Sequence, residues 1–223
     1  MILDLADTSG QMVGGKAAGL ARLQALGLPV PPAVVLPVGA ELEDADDVIR
    51  RIGEPIAVRS SALGEDSSDR SAAGQYETIL GVRRDGLKEA IGLVREPTHR
   101  ALAYGGRAEV AVVLQQQVAA TKAGVAFSHD PRTGAESAII ECAFGGGEAL
   151  VSGEVTPDRY RIENGTIEAR VHGPLRTLRA DEIYALLDLV RRAERGFGHP
   201  VDVEFCFERR TIWLLQCRPI TTL

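Results

Sequence analysis

Near the C-terminus, carboxylates, an amide and an arginine recur at two-residue spacing inside apolar sequence. Val201 to Phe207 reads VDVEFCF and alternates strictly. Val201, Val203, Phe205 and Phe207 therefore face one way, and Asp202, Glu204 and Cys206 the other. A charged turn, Glu208-Arg209-Arg210, precedes a second strand, Thr211 to Arg218, with Ile212, Leu214, Gln216 and Arg218 on one face. A turn centred near Arg210 sets Glu204 opposite Gln216 and Asp202 opposite Arg218, so that the four polar groups share one face of a hairpin. A carboxylate beside an amide oxygen suits a hard cation such as Mg2+, which takes one or two carboxylates plus phosphate oxygens. An arginine on the same face suits a phosphate. A half-buried strand with a solvent face would alternate too, but WLLQC is too apolar for an outer strand, and Gln216 and Arg218 within it need partners.

Two cations earlier in the chain have surroundings that suit an anion. Pro55-Ile56-Ala57-Val58 reads as a buried strand that stops at Arg59 and opens into Ser60-Ser61 and Gly64 to Ser68, then Ser71-Ala72-Ala73-Gly74-Gln75. Arginine offers a planar fork of donors to phosphate oxygens, and small residues let backbone N–H groups approach an anion. A solvated surface loop would have the same composition. Lys16 follows Gly14-Gly15 and opens an amphipathic helix, with Leu20, Leu23 and Leu26 at helical spacing and Gly27 as its stop. A helix N-terminus attracts anions, and a lysine there adds a mobile positive charge. GGK is not a Walker A loop, which needs four residues between its first glycine and a GK followed by Ser or Thr; a surface lysine after a glycine turn is the plainer reading of that motif alone.

The elements that must position these residues alternate between helical and strand periodicity. Ala33 to Pro37, Glu77 to Arg83, Glu109 to Val118, Ala123 to Ser128 and Ser137 to Ala143 read as strands. Asn164-Gly165 marks a hairpin between Arg159–Ile162 and Thr166–Val171. Helices are expected over Glu41 to Ile52, Gly86 to Arg95 and Asp181 to Gly196. Gly145-Gly146-Gly147-Glu148 allows close approach to a ligand, or serves only as a linker. His99 stands alone in a polar segment and reads as incidental. A net charge of −6 speaks against a general nucleic-acid binder, which needs a basic face. Three cysteines without metal spacing read as reduced and buried, and with no secretion signal and no run of 18 apolar residues the expectation is a cytoplasmic protein without a membrane span.

Several separated motifs agree with one family. VGGKAAGLARLQALGLPVPPAVVLP, AVRSSALGEDSSDRSAAGQYET, the LQQQV strand, GVAFSHDPRTG, IIECAFGGGEALVSGEVTPDRY and VDVEFCFERRTIWLLQCRPI follow one another in the family's order. The chain resembles the ATP-binding domain of pyruvate phosphate dikinase, phosphoenolpyruvate synthase and rifampin phosphotransferase. The resemblance implies an α+β, ATP-grasp fold whose two subdomains carry mixed or antiparallel sheets around an ATP cleft. The subdomains are expected over residues 1–108, with the phosphate-binding Lys and Arg, and 109–223, with the adenine and Mg2+ sites. Carried over by motif, Lys16 and Arg59 would bind and polarise the phosphates. Ser71, Gly74 and Gln75 would close over them. Gln115, Gln117 and Val118 would border the adenine, Glu204 and Gln216 would hold Mg2+ with Asp202 close by, and Arg218 would contact the transferring phosphoryl group.

The chain departs from the family in three places. The stretch between VPPAVVLP and AVRSSA is short, His129 stands where a basic residue is usual, and Ala72 replaces a phenylalanine. The phosphohistidine and acceptor domains of larger members are not in this sequence. The expectation is therefore the phosphoryl-donating component of a split dikinase-like enzyme. It would use ATP and Mg2+, a separate phosphohistidine-domain protein and a small-molecule acceptor, with no nucleic acid and no membrane. A stand-alone small-molecule kinase and a non-catalytic nucleotide-binding module are the alternatives.

Overall fold

A computed structural model of the chain describes residues 1–63, 78–96, 110–146 and 155–220. The chain divides into two compact units, Met1–Ala25 with Pro31–Gln117 and Leu26–Val30 with Val118–Leu223. The division falls after Gln117 rather than after residue 108. The reason is the strand β5 (Val110–Gln116), which pairs with β2 (Ala33–Leu36) on one side and β3 (Ile56–Ala62) on the other, making it the middle of the first sheet.

That sheet has the order β1-β2-β5-β3-β4, where β1 is Leu3–Asp4 and β4 is Thr78–Val82, and every pairing is antiparallel. Its two faces are set by the two-residue period. Ile56 and Val58 of β3, Val112 and Leu114 of β5 and Val34 and Leu36 of β2 pack with α2 (Ala45–Ile52) and α3 (Leu87–Arg95) through Val48, Ile52, Leu87, Ala90, Ile91 and Val94. The alternate residues of β3, Ala57, Arg59 and Ser61, face α1 (Gly14–Ala25), whose buried residues include Ala17, Leu20 and Leu23.

β3 does not stop at Arg59. It continues to Ala62, bonded to β5 as far as the Ala62–Val110 pair, and all seven of its residues are buried. Its polar residues find partners there: the Ser61 hydroxyl donates to the Val13 carbonyl at 2.7 Å and accepts the Ala17 N–H at 3.1 Å. Two helix limits also differ from the sequence pattern. Leu26 lies past α1 and is 37% exposed. α2 begins at Ala45, because Asp44 caps it by accepting the Asp46 N–H at 2.8 Å.

The second unit is a sheet of order β11-β10-β6-β7-β8-β9, again antiparallel throughout. Its strands are β6 (Lys122–Phe127), β7 (Ala138–Phe144), β8 (Asp158–Glu163), β9 (Thr166–Arg170), β10 (Val201–Glu208) and β11 (Thr211–Pro219). Asn164 and Gly165 both take positive φ, +49° and +77°, and make the tight turn between β8 and β9. α4 (Ala180–Phe197) packs on one face through Ile183, Leu186, Val190 and Ala193. Lys122 and Phe207, paired across the sheet, belong to that face; the Lys122 ammonium binds the buried Glu182 of α4 at 2.7 Å. The other limit of the sheet, β11, does not present a bare edge along its whole length. The Leu214 N–H donates to the Pro29 carbonyl at 2.8 Å.

Candidate functional site

In the first unit, two of the expected phosphate-binding residues, Lys16 and Arg59, lie on elements that meet, α1 and β3. Ser61 holds the start of α1 by hydrogen bonds to Val13 and Ala17, and Lys16 directly precedes Ala17, whose N–H the Ser61 hydroxyl accepts. Arg59 sits two residues before Ser61 on the same strand face, about 7 Å along β3. Gly14 makes the contact possible. It takes φ +73°, and a Cβ there would lie 2.3 Å from the Ser61 carbonyl oxygen. Lys16 is half-buried, whereas Arg59 is only 8% exposed. A guanidinium this deep needs acceptors, and one is Gln115, whose Oε1 accepts from Arg59 Nη1 at 3.3 Å.

Gln115 was expected at the adenine with Gln117 and Val118. It is buried on β5, opposite Ala57, beside Arg59. The Gln117 N–H donates to the Pro55 carbonyl at 2.9 Å, and its side-chain oxygen accepts the Gly81 N–H. Val118 belongs to the second unit and is half-buried. Ser71, Gly74, Gln75 and the departure at Ala72 lie outside the described residues, as do His99 and Gly147-Glu148.

In the second unit, the C-terminal hairpin brings together Asp202, Glu204, Gln216 and Arg218. A two-residue turn, Arg209-Arg210, with Arg209 at φ +56°, pairs Glu208 with Thr211. Carried on unbroken, that register would set Glu204 opposite Leu215. A one-residue shift between Glu204 and Phe205 carries the register past Leu215, so the pairs beyond it are Glu204–Gln216 and Asp202–Arg218. Directly paired residues share a face, and these are out of phase with Val203, Phe205 and Phe207. The four polar side chains therefore lie on the sheet face away from α4.

This face is not a solvated exterior. Asp202 is 6% and Gln216 4% exposed. Arg218 Nε donates to Asp202 Oδ2 at 2.8 Å, and Oδ1 of the same carboxylate is buried with no hydrogen-bond partner. Burial pushes the Asp202 carboxyl above its ordinary range, with Glu204 adding to the effect and Arg218 opposing it. A buried carboxylate oxygen without a donor, next to a second carboxylate and an amide, is a donor set that fits a hard cation.

The same face holds residues that the motifs did not single out. The register row through Gln216 and Glu204 continues across Val125 to Glu141 and Arg159, which pair at 3.1 Å. On the opposite face Asp158, 4% exposed, anchors the approach to α4. Its Oδ1 accepts the His172 N–H at 2.9 Å; its Oδ2 accepts the Thr177 N–H at 2.8 Å and takes the Thr177 and Tyr160 hydroxyls. The TPD sequence offers a turn-forming Pro followed by an acid, but the backbone N–H groups that Asp158 accepts from are 14 and 19 residues away. His129 is tied to α4, with Nδ1 2.9 Å from Glu194 Oε1.

Comparison with known proteins identifies the family. The model of the pyruvate phosphate dikinase AMP/ATP-binding domain matches residues 37–173 and 168–223. The chain belongs to that family. Longer proteins match the chain as well. A probable phosphoenolpyruvate synthase of Methanothermobacter thermautotrophicus is 30% identical over 95% of this chain and 44% of its own length. A rifampicin phosphotransferase of a Streptomyces species is 36% identical over 75% of the chain and 23% of its length. The chain thus spans less than half of these relatives. The alignment with the first runs over 304 residues, more than the chain contains, so that relative carries segments without counterparts here.

Among solved structures, a dinucleotide-forming acetyl-coenzyme A synthetase of Ca. Korarchaeum cryptofilum matches with a TM-score of 0.56 at 15% identity, over 96% of this chain and 95% of that one. A D-alanine–D-alanine ligase of Bacillus anthracis, solved with ATP, matches with a TM-score of 0.55 at 11% identity, over 94% and 55%. At such identities the likeness speaks for the fold alone, and the fold is ATP-grasp, of the α+β class.

Proposed function

We propose that this ATP-binding domain holds Mg·ATP and donates a phosphoryl or pyrophosphoryl group to a histidine on a separate protein, from which a small acceptor is charged. The observation that carries this reading is the hairpin register: a one-residue bulge sets Glu204 against Gln216 and Asp202 against Arg218 on a buried face with one carboxylate oxygen unsatisfied. Catalysis of phosphoryl transfer needs positioning and charge neutralisation more than covalent chemistry.

Each residue has a place in that scheme. Glu204 and Gln216, with Asp202 Oδ1, would hold Mg2+, which supplies charge neutralisation at the phosphate oxygens. Arg218 is oriented by Asp202 and would contact the group in transfer. Arg59, held by Gln115, would grip a phosphate from its fixed position on β3, while Lys16 would supply a mobile ammonium at the start of α1. Ser71, Gly74 and Gln75 would close over the phosphates, and Gln117 and Val118 would border the adenine. Attack of the partner's imidazole nitrogen at the β-phosphorus, in the manner of the family, would break the bond to the α-phosphate, release AMP and leave the β- and γ-phosphates on that nitrogen as a pyrophosphoryl group.

The test is product analysis of Mg·ATP turnover by the purified chain, with and without a protein that carries a phosphorylatable histidine. AMP formed only in the presence of that protein is the expected result. ADP formed without it would point to direct phosphorylation of a small molecule. Tight ATP binding with turnover at background in both would point to a non-catalytic module.

A further inference from the structure

Gln115 makes one bond too few for a buried side chain. It is 2% exposed and lies next to Arg59, itself 8% exposed, on the α1 face of the first sheet. The guanidinium has only donors, so the amide must turn its oxygen toward it, as the 3.3 Å contact shows. That orientation leaves Gln115 Nε2, a buried donor, without an acceptor. An unmet buried N–H of this kind carries the full desolvation penalty of the group, and native proteins rarely carry one without a reason.

We infer that Gln115 and Arg59 form a two-residue anion reader, in which Nε2 donates to an oxygen of the same phosphate that the guanidinium grips. This deepens the nucleotide reading and rests on it. It gives Gln115 a role at the phosphates instead of at the adenine edge. The chemistry follows from the donor count. The pair presents the N–H groups of a fork and of a primary amide, and its one acceptor oxygen is already used. A ligand that meets Nε2 beside this guanidinium must offer an acceptor and tolerate a cation, and is best negative. Phosphate fits; a cation or a donor-bearing ring edge does not. The amide also fixes the rotation of the guanidinium plane, which reduces the freedom that Arg59 loses on binding.

The experiment compares Gln115→Glu and Gln115→Leu with the wild-type chain by titration calorimetry, using inorganic tripolyphosphate and adenosine as separate probes. Gln115→Glu keeps an acceptor for Arg59 and exchanges the free donor for an anionic oxygen. Gln115→Leu removes both functions and covers the case in which the charged variant does not fold. Each variant is expected to bind tripolyphosphate at least tenfold more weakly while its affinity for adenosine stays within about twofold. Unchanged tripolyphosphate affinity in both variants, or a loss confined to adenosine, would overturn the inference while leaving nucleotide binding intact. A wild-type chain that binds neither probe would overturn the nucleotide reading and this inference with it.

Discussion

At the residue scale, small geometric facts decide where the charged groups sit. Gly14 is one of them. A Cβ at this position would meet the Ser61 carbonyl at 2.3 Å and the Ser61 hydroxyl at 2.6 Å, from a backbone with φ +73°. Gly14→Ala must therefore both strain the chain and push α1 off β3. We expect it to destabilise the protein by about 2–4 kcal/mol, from left-handed strain and overpacking together. Urea denaturation with the midpoint as readout checks this; an unchanged midpoint would mean that α1 is not seated on Ser61. The Gly-Gly-Lys sequence announces the helix start but not the reason for Gly14, because Ser61 is 47 residues away. The hairpin pairs Glu204–Gln216 and Asp202–Arg218 were legible from alternation. The turn alone would have misplaced them by one residue, and the one-residue shift past Leu215 restores the register that a centre at Arg210 implies.

At the element scale, the approach to α4 depends on one buried carboxylate. Asp158 is pushed up by burial, but the N–H groups of His172 and Thr177 and the hydroxyls of Thr177 and Tyr160 outweigh that and hold it below its ordinary range. A lowered folded value means that the contribution to stability is present above the unfolded value of 3.8 and fades as pH falls through the folded one. Asp158→Ala should therefore cost about 3 kcal/mol near neutral pH, from the loss of hydrogen bonds to a charged group. The gap to wild type should close on acidification below about pH 4. Thermal unfolding across pH 3 to 7 measures it, and a gap independent of pH would contradict the charged form as the anchor. The elements themselves were largely readable from periodicity. β3 was not: Arg59, Ser60 and Ser61 look like the start of a loop, yet tertiary partners on α1 and β5 carry the strand on to Ala62. The start of α2 was also hidden, since five acids between Glu41 and Asp47 suit a first turn equally well until Asp44 is seen as the cap.

At the scale of the whole molecule, the sequence pattern suggests subdomains over 1–108 and 109–223, and the compact units of the structure divide after Gln117. β5 reads as a central strand, which it is, but periodicity does not say of which sheet. Each unit carries its own set of expected residues: Lys16, Arg59 and Gln115 in the first, Asp202, Glu204, Gln216 and Arg218 in the second. The account requires both sets to act on one triphosphate. Calorimetric affinity for Mg·ATP, measured on the wild-type chain, Arg59→Ala, Glu204→Ala and the double variant, tests that requirement most directly. The account predicts saturable binding by wild type, a loss of at least tenfold in each single variant, and a double variant weaker than either by less than the product of the two losses. Wild-type affinity retained in either single variant would contradict it.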